Sequence, residues 1–319
     1  MDTTETPRRE EAGQSRVKLG TAYFLMVLAM ACWAGNWLLG RVIHNEVPPI
    51  TLNFWRWVVA LFILLPLTWR QLREGRSVIR REWKFLAVLG ILGVSLFHSL
   101  VYIALNYTTA INAAMYASTT PVIIVAISWG WFREPLALRQ IAGIILSLLG
   151  VLGILFRGDP ALILGLQFNP GDLWAISSIL VWAVFTVLLK HRPMDLEALP
   201  TLTVMTIIGL VALTPFYLWE AAGGRAMIVG WTSLATIGYM GVFASVIAFT
   251  AWNAALPVAG AIRAGLFVHL LPAFTTVFAI VLLSEPFLWY HASGISLVAL
   301  GIYLATRNPR VEGQALKAE

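Results

Sequence analysis

Ten stretches of about twenty predominantly apolar residues follow one another along this chain, and no other feature constrains the fold as strongly. They run over 20–41, 49–69, 84–105, 109–131, 137–156, 171–190, 199–219, 231–255, 259–283 and 287–306. A helix rises about 1.5 Å per residue and the hydrocarbon core of a bilayer is about 30 Å thick, so each stretch is long enough to cross. The spans must be helical, because a lone strand leaves backbone N–H and C=O groups unpaired in lipid. Composition agrees: 59% of the 319 residues are hydrophobic and 12% charged, against about 25% charged in soluble proteins. The expected fold class is an all-α membrane protein of ten transmembrane helices.

The placement of charge sets the expected orientation. Seventeen of the 22 Lys and Arg residues fall in the N-terminal tail, the 70–84, 132–139 and 190–198 connections and the C-terminal tail. The opposite connections hold only Arg41, Arg157 and Arg225. Basic connections stay in the cytoplasm, so both termini are expected there. The same asymmetry accounts for the net charge of +6 without nucleic acid as a partner. Residues 1–18 read as a disordered cytoplasmic tail, and 307–319 as a cytoplasmic tail. The first apolar run is too long for a signal-peptide core and lacks a small-residue cleavage site. The single cysteine, Cys32, excludes a disulfide framework or a cysteine-rich metal site.

The two halves of the chain are related. At an offset of 151 residues Pro121 falls on Pro272, Glu134-Pro135 on Glu285-Pro286, Gly143 on Gly294 and Gly150 on Gly301. At 149, Trp33-Ala34 falls on Trp182-Ala183; at 148, Gly90 and Gly93 fall on Gly238 and Gly241. The expected units are 19–157 (spans 1–5) and 158–306 (spans 6–10). Five is odd, so the second unit enters the membrane from the opposite side and the repeats are inverted. Inverted repeats with a site near the midplane are the architecture of alternating-access transporters.

Each half resembles one EamA domain of the drug/metabolite transporter superfamily. The residues that carry the resemblance are Trp33-Ala34-Gly35-Asn36, Leu52-Asn53-Phe54-Trp55-Arg56, Thr119-Thr120-Pro121-Val122 and Arg133-Glu134-Pro135 in the first half. In the second they are Leu271-Pro272, Ser284-Glu285-Pro286 and the glycines from Gly294 to Gly301. The chain is similar to the bacterial aromatic amino acid exporters of that superfamily. This implies a multi-pass protein of the bacterial inner membrane that exports amino acids. No cofactor, catalytic group or obligatory protein partner is implied; the partners are a small-molecule substrate and the lipid bilayer.

Candidate binding residues follow from groups that are costly or unusual inside a bilayer. His98 and His269 lie deep in spans 3 and 9, and ionisable groups at that depth either face a water-filled path or bond a neighbouring helix. Tyr102 shares the His98 face at i+4. Trp33 and Trp182 sit near mid-span at equivalent positions, away from the interfacial belts where Trp69, Trp83 and Trp289 fall. With Trp37, Tyr116, Phe185, Asn36 and Asn112 they describe either an aromatic cavity for an amphipathic solute or helix packing. Pro121 and Pro272 are expected as mid-span kinks beside that cavity, freeing the carbonyls of Ala117 and Val268. Arg56 either snorkels or takes a substrate carboxylate. Glu134 and Glu285 read as structural, one at the start of each following helix.

Other functions fit less well. Small-cation and multidrug exporters of the superfamily use a buried acidic residue in span 1, and residues 20–41 contain no Asp or Glu. Sugar phosphates call for several buried basic groups. A membrane-embedded enzyme needs clustered acid/base or metal-ligand residues, and the spans show neither an acidic pair nor HExxH spacing.

Overall fold

A computed structural model describes residues 18–108, 116–133, 136–163, 169–192, 195–283 and 287–306. Asn112, Glu134, Pro135, Glu285 and Pro286 lie outside the described residues.

The long helices are α1 (Leu19–Ile43), α2 (Pro49–Glu74), α4 (Trp83–Tyr107), α6 (Leu138–Leu155), α7 (Pro170–Leu189), α8 (Ala198–Ala222) and α9 (Trp231–Ala259). Short α3 (Arg76–Arg81) follows α2 on the cationic side, and α5 (Thr120–Phe132) follows Tyr116–Ala117. Beyond Gly260, α10 (Ala261–Phe267), α11 (Leu270–Leu283) and α12 (Trp289–Thr306) complete the chain. Among the described residues, eight helical stretches are long and apolar enough to cross a membrane, with α10 and the start of α11 counted as one. α5 is shorter than a span, at 13 residues, and α12 has 18.

Local chemistry sets the ends. Pro49 and Pro170 occupy the first turns of α2 and α7, where a missing N–H costs nothing. Asn169 caps α7 by accepting from the Gly171 N–H, and Asp172 returns a bond to the Asn169 N–H at 2.8 Å. Gly260 has φ +84° and ends α9, a conformation open to glycine.

Two departures from regular helix recur at related positions. Ile91–Leu96 of α4 and Met240–Ile247 of α9 are π-helical. Each such segment widens the turn and leaves carbonyls without their ordinary partner. Asn53 Nδ2 donates to the carbonyls of Val94 and Ser95 in the first; Trp33 Nε1 donates to that of Ala244 in the second.

The expected proline kinks are instead helix breaks. α5 starts at Thr120, so Pro121 stands in its first turn, after a turn at Ser118–Thr119. α10 stops at Phe267 and α11 starts at Leu270, with a turn at Val268–His269 before Pro272. The carbonyls expected to be free are taken: Ala117 accepts from Thr120 Oγ1 at 2.6 Å, Val268 from the Leu271 N–H at 3.0 Å. Proline is tolerated in the first turn, so the chain begins a fresh helix there instead of bending an old one.

Packing follows a reciprocal scheme. α1 packs on α9 and α4 on α7; α1 also packs on α11, and α5 on α7. α2 meets α8, α5 meets α10 and α6 meets α12. The last contact is the most intimate. A Cβ on Gly143 would stand 2.5 Å from the Gly301 carbonyl, and one on Gly150 would stand 2.6 Å from that of Gly294. Lipid offers no hydrophobic drive between helices, so such backbone-to-backbone contact is how they associate.

Candidate functional site

At the centre of the bundle lies a small, partly open cavity of about 30 Å3. Most of its wall is made of residue pairs at the offsets noted above. Met30 corresponds to Ile179 and Trp33 to Trp182, at 149; Ala117 corresponds to Val268 and Thr120 to Leu271, at 151. Trp37, Phe97 and His98 complete it. The wall therefore draws on α1, α4, α7 and the two helix breaks.

The aromatic groups are held firmly. Trp33 and Trp182 meet edge to face with centroids 5.1 Å apart. Trp33 also packs against Phe249 at 5.3 Å and Trp252 at 5.4 Å; Trp182 packs against Phe97 at 4.6 Å and Phe185 at 5.2 Å. Each such pair contributes about 0.5–1.5 kcal/mol beyond its buried area. Phe185 supports Trp182 from behind and fills the space that Gly93 leaves open, where a Cβ would come within 2.6 Å of its ring.

His98 lines the cavity and is nearly fully buried. His269 bridges helices instead: Nε2 donates to the Ser118 carbonyl at 2.8 Å, and Nδ1 meets Ser147 Oγ at 2.6 Å. Tyr116 sits beside Asp172, away from the wall. Pro121 and Pro272 stand one residue behind the lining Thr120 and Leu271.

One helical turn from Trp33 and His98 lies a buried polar cluster. Arg56 does not snorkel; it is 0% exposed. Its Nε donates to Ser245 Oγ at 2.9 Å, and its Nη1 donates to Tyr102 Oη at 2.7 Å and to Asn36 Oδ1 at 3.3 Å. Tyr102 Oη in turn donates to Asn36 Oδ1 at 2.8 Å. The guanidinium also lies over the Trp57 ring, 5.2 Å from its centroid. Sequence reasoning missed Ser245, one hydroxyl among many in the spans, which only packing brings to Arg56.

Beyond the cluster an open cleft of about 450 Å3 is lined by Pro49, Ile50, Asn106, Trp174, Glu220 and Arg225, among others. Glu220 caps α2 there, accepting from the Thr51 N–H at 2.7 Å and from Thr51 Oγ1 at 2.8 Å.

Comparison with known proteins agrees with this architecture. Residues 20–156 and 169–307 each match the EamA-like transporter family. An uncharacterized transporter of Archaeoglobus fulgidus is 30% identical over 291 residues, covering 89% of this chain and 96% of its own. The uncharacterized transporter YetK of Bacillus subtilis is 27% identical and covers 95% and 92%. A protein of known crystal structure has the same fold, with TM-score 0.73 at 21% identity, over 90% of this chain and 96% of its own. Two matches spanning nearly the whole chain, on a bundle of membrane-length helices around a central cavity, place this protein in the EamA-like transporter family.

Proposed function

We propose that the chain is a secondary transporter that exports amino acids, aromatic and other neutral ones above all, across the bacterial inner membrane by alternating access. The observation that carries this reading is the central cavity, walled by paired residues from both halves and dominated by indole and phenyl rings. Ten spans in two inverted repeats of five account for that pairing. They also account for the α6–α12 contact, where Gly143 meets Gly301 while Gly150 meets Gly294. A contact in which each residue meets the partner's counterpart is what a two-fold axis produces, and it supports the inverted-repeat reading. With both termini cytoplasmic, that axis lies in the membrane plane.

The cavity's size bears on mechanism. Its 30 Å3 admits a water or two, far less than an amino acid needs, so loading requires the halves to part. The two helix breaks and the two π-helical segments are the places where backbone pairing is already irregular. Trp33, Trp37, Trp182 and His98 would face the solute directly; Asn36, Tyr102, Phe185 and His269 would brace that wall. Aromatic faces accept an ammonium for about 0.5–2 kcal/mol, which is a weak anchor. Affinities in the high micromolar to millimolar range follow.

The test is transport itself. Purified protein in proteoliposomes is loaded with labelled phenylalanine, tryptophan, threonine and glutamate, with and without a pH gradient. Saturable flux of the neutral and aromatic compounds is expected. Flux confined to a phosphorylated sugar loaded in a parallel sample, or none above protein-free vesicles, overturns the reading.

A further inference from the structure

The Arg56 cluster contains two donors without acceptors. Arg56 Nη2 and Asn36 Nδ2 are both buried and unpartnered, on residues that are 0% exposed. Among the described residues no carboxylate pairs with Arg56; the ion pairs found are Arg70–Glu74, Arg81–Glu82 and Arg81–Asp195, all at the surface. A buried cation with no counter-charge is a costly arrangement. Three neutral acceptors, Ser245, Tyr102 and Asn36, satisfy Arg56 only in part.

Its position is equally specific. Along α4, His98 lines the cavity, Tyr102 belongs to the cluster and Asn106 lines the open cleft, on three successive turns. Asn106 Nδ2 donates to the Tyr102 carbonyl at 2.8 Å. Along α1, Trp33 lines the cavity and Asn36 belongs to the cluster. Along α2, Ile50 lines the cleft and Arg56 the cluster. The cluster therefore stands between cavity and cleft, tying α1, α2, α4 and α9 together.

We propose that Arg56 and Asn36 form an anion site on the passage between cavity and cleft. There an anionic acceptor, either the carboxylate of the passing solute or a free halide ion, takes the two N–H groups that the closed arrangement leaves unpaired. In the closed form Arg56 Nη1 holds Tyr102 and Asn36, and the passage is shut. An anion that binds only once these helices separate shifts the population toward the open form by its differential affinity. The same charge that latches the passage thus admits the solute, and it selects acceptors over donors. The solute arm rests on the amino acid reading above; the halide arm does not.

The test compares ligands that differ only in the anionic group, on the full chain in nanodiscs. Phenylalanine and phenylalaninol share side chain and ammonium, but only the first has a carboxylate. Their dissociation constants are measured for wild type, Arg56→Gln and Asn36→Asp, and melting temperatures are measured in sodium chloride against sodium HEPES. Asn36→Asp supplies an internal carboxylate beside the guanidinium, so it keeps the cluster satisfied if Arg56→Gln fails to fold. If the solute is the source, wild type binds phenylalanine at least about tenfold tighter than phenylalaninol, and Asn36→Asp binds the two alike. If a halide is the source, chloride raises the melting temperature of wild type but not of Asn36→Asp, and the two ligands bind wild type alike. Equal binding of both ligands with no response to chloride overturns the anion site and leaves the cavity reading intact. Failure of both ligands to bind removes the amino acid reading, and the chloride arm then decides the anion site alone.

Discussion

His269 Nε2 donates to the Ser118 carbonyl at 2.8 Å across 151 residues of chain, and 151 is the offset at which Pro121 falls on Pro272. The two residues hold equivalent places in the two helix breaks and touch each other there. The imidazole bridges them, with its second nitrogen on Ser147 of α6. Removing it takes away both of these buried hydrogen bonds. His269→Ala is expected to cost about 1–3 kcal/mol of stability, read as a lower melting temperature in detergent. An unchanged melting temperature contradicts the bridging role.

The glycines of α6 and α12 give a second expectation. At Gly150 and Gly294 an added Cβ meets backbone, which no rotamer change relieves; at Gly153, on the same helix as Gly150, it meets nothing within 4 Å. Gly150→Val should therefore separate the pair and destabilise the fold by about 1–3 kcal/mol or more. Gly153→Ala should be tolerated. Equal behaviour of the two variants counts against the close contact.

Orientation is tested by labelling. With Cys32 replaced by Ala, single cysteines at Ser77 and Gly223 should react with an impermeant reagent from opposite faces of the membrane. Reaction of both from one face refutes the proposed topology and the inverted repeat with it.

Trp33 has separable roles as ring and donor. Trp33→Phe keeps an aromatic wall but leaves the Ala244 carbonyl, in the second π-helical segment, without its 2.9 Å bond. It should lower stability by about 1 kcal/mol and retain transport, whereas Trp182→Ala and His98→Ala should lower transport without preventing insertion. Unchanged transport in both of the latter would make them packing residues.

How much of this was legible in the sequence depends on the kind of signal. Apolar length marked the helices, and the ends of α1, α2, α4, α6, α7 and α8 fall within a few residues of expectation, apart from the Glu74 end of α2. Repeated Pro, Gly and Trp marked the offset between the halves, and of the paired residues on the cavity wall only Trp33 and Trp182 are themselves a repeated type. The π-helical segments left no such trace, because Ile91–Leu96 and Met240–Ile247 differ from ordinary helix only in backbone pairing. The proline breaks were displaced for a related reason: Pro121 and Pro272 forbid a bond upstream, and the chain yields at Ser118–Thr119 and Val268–His269 rather than at the rings. Arg56 was visible as an intramembrane charge. Its partners were not, since Asn36, Tyr102 and Ser245 come from three different helices and only packing brings them together.

The central claim is that the small cavity opens in turn to each side. Thr120→Cys, in a Cys32→Ala background, places one thiol on the cavity wall. In oriented proteoliposomes an impermeant thiol reagent should modify it when added to either side, and phenylalanine should slow both reactions. Modification from one side only, or rates indifferent to phenylalanine, would contradict the account.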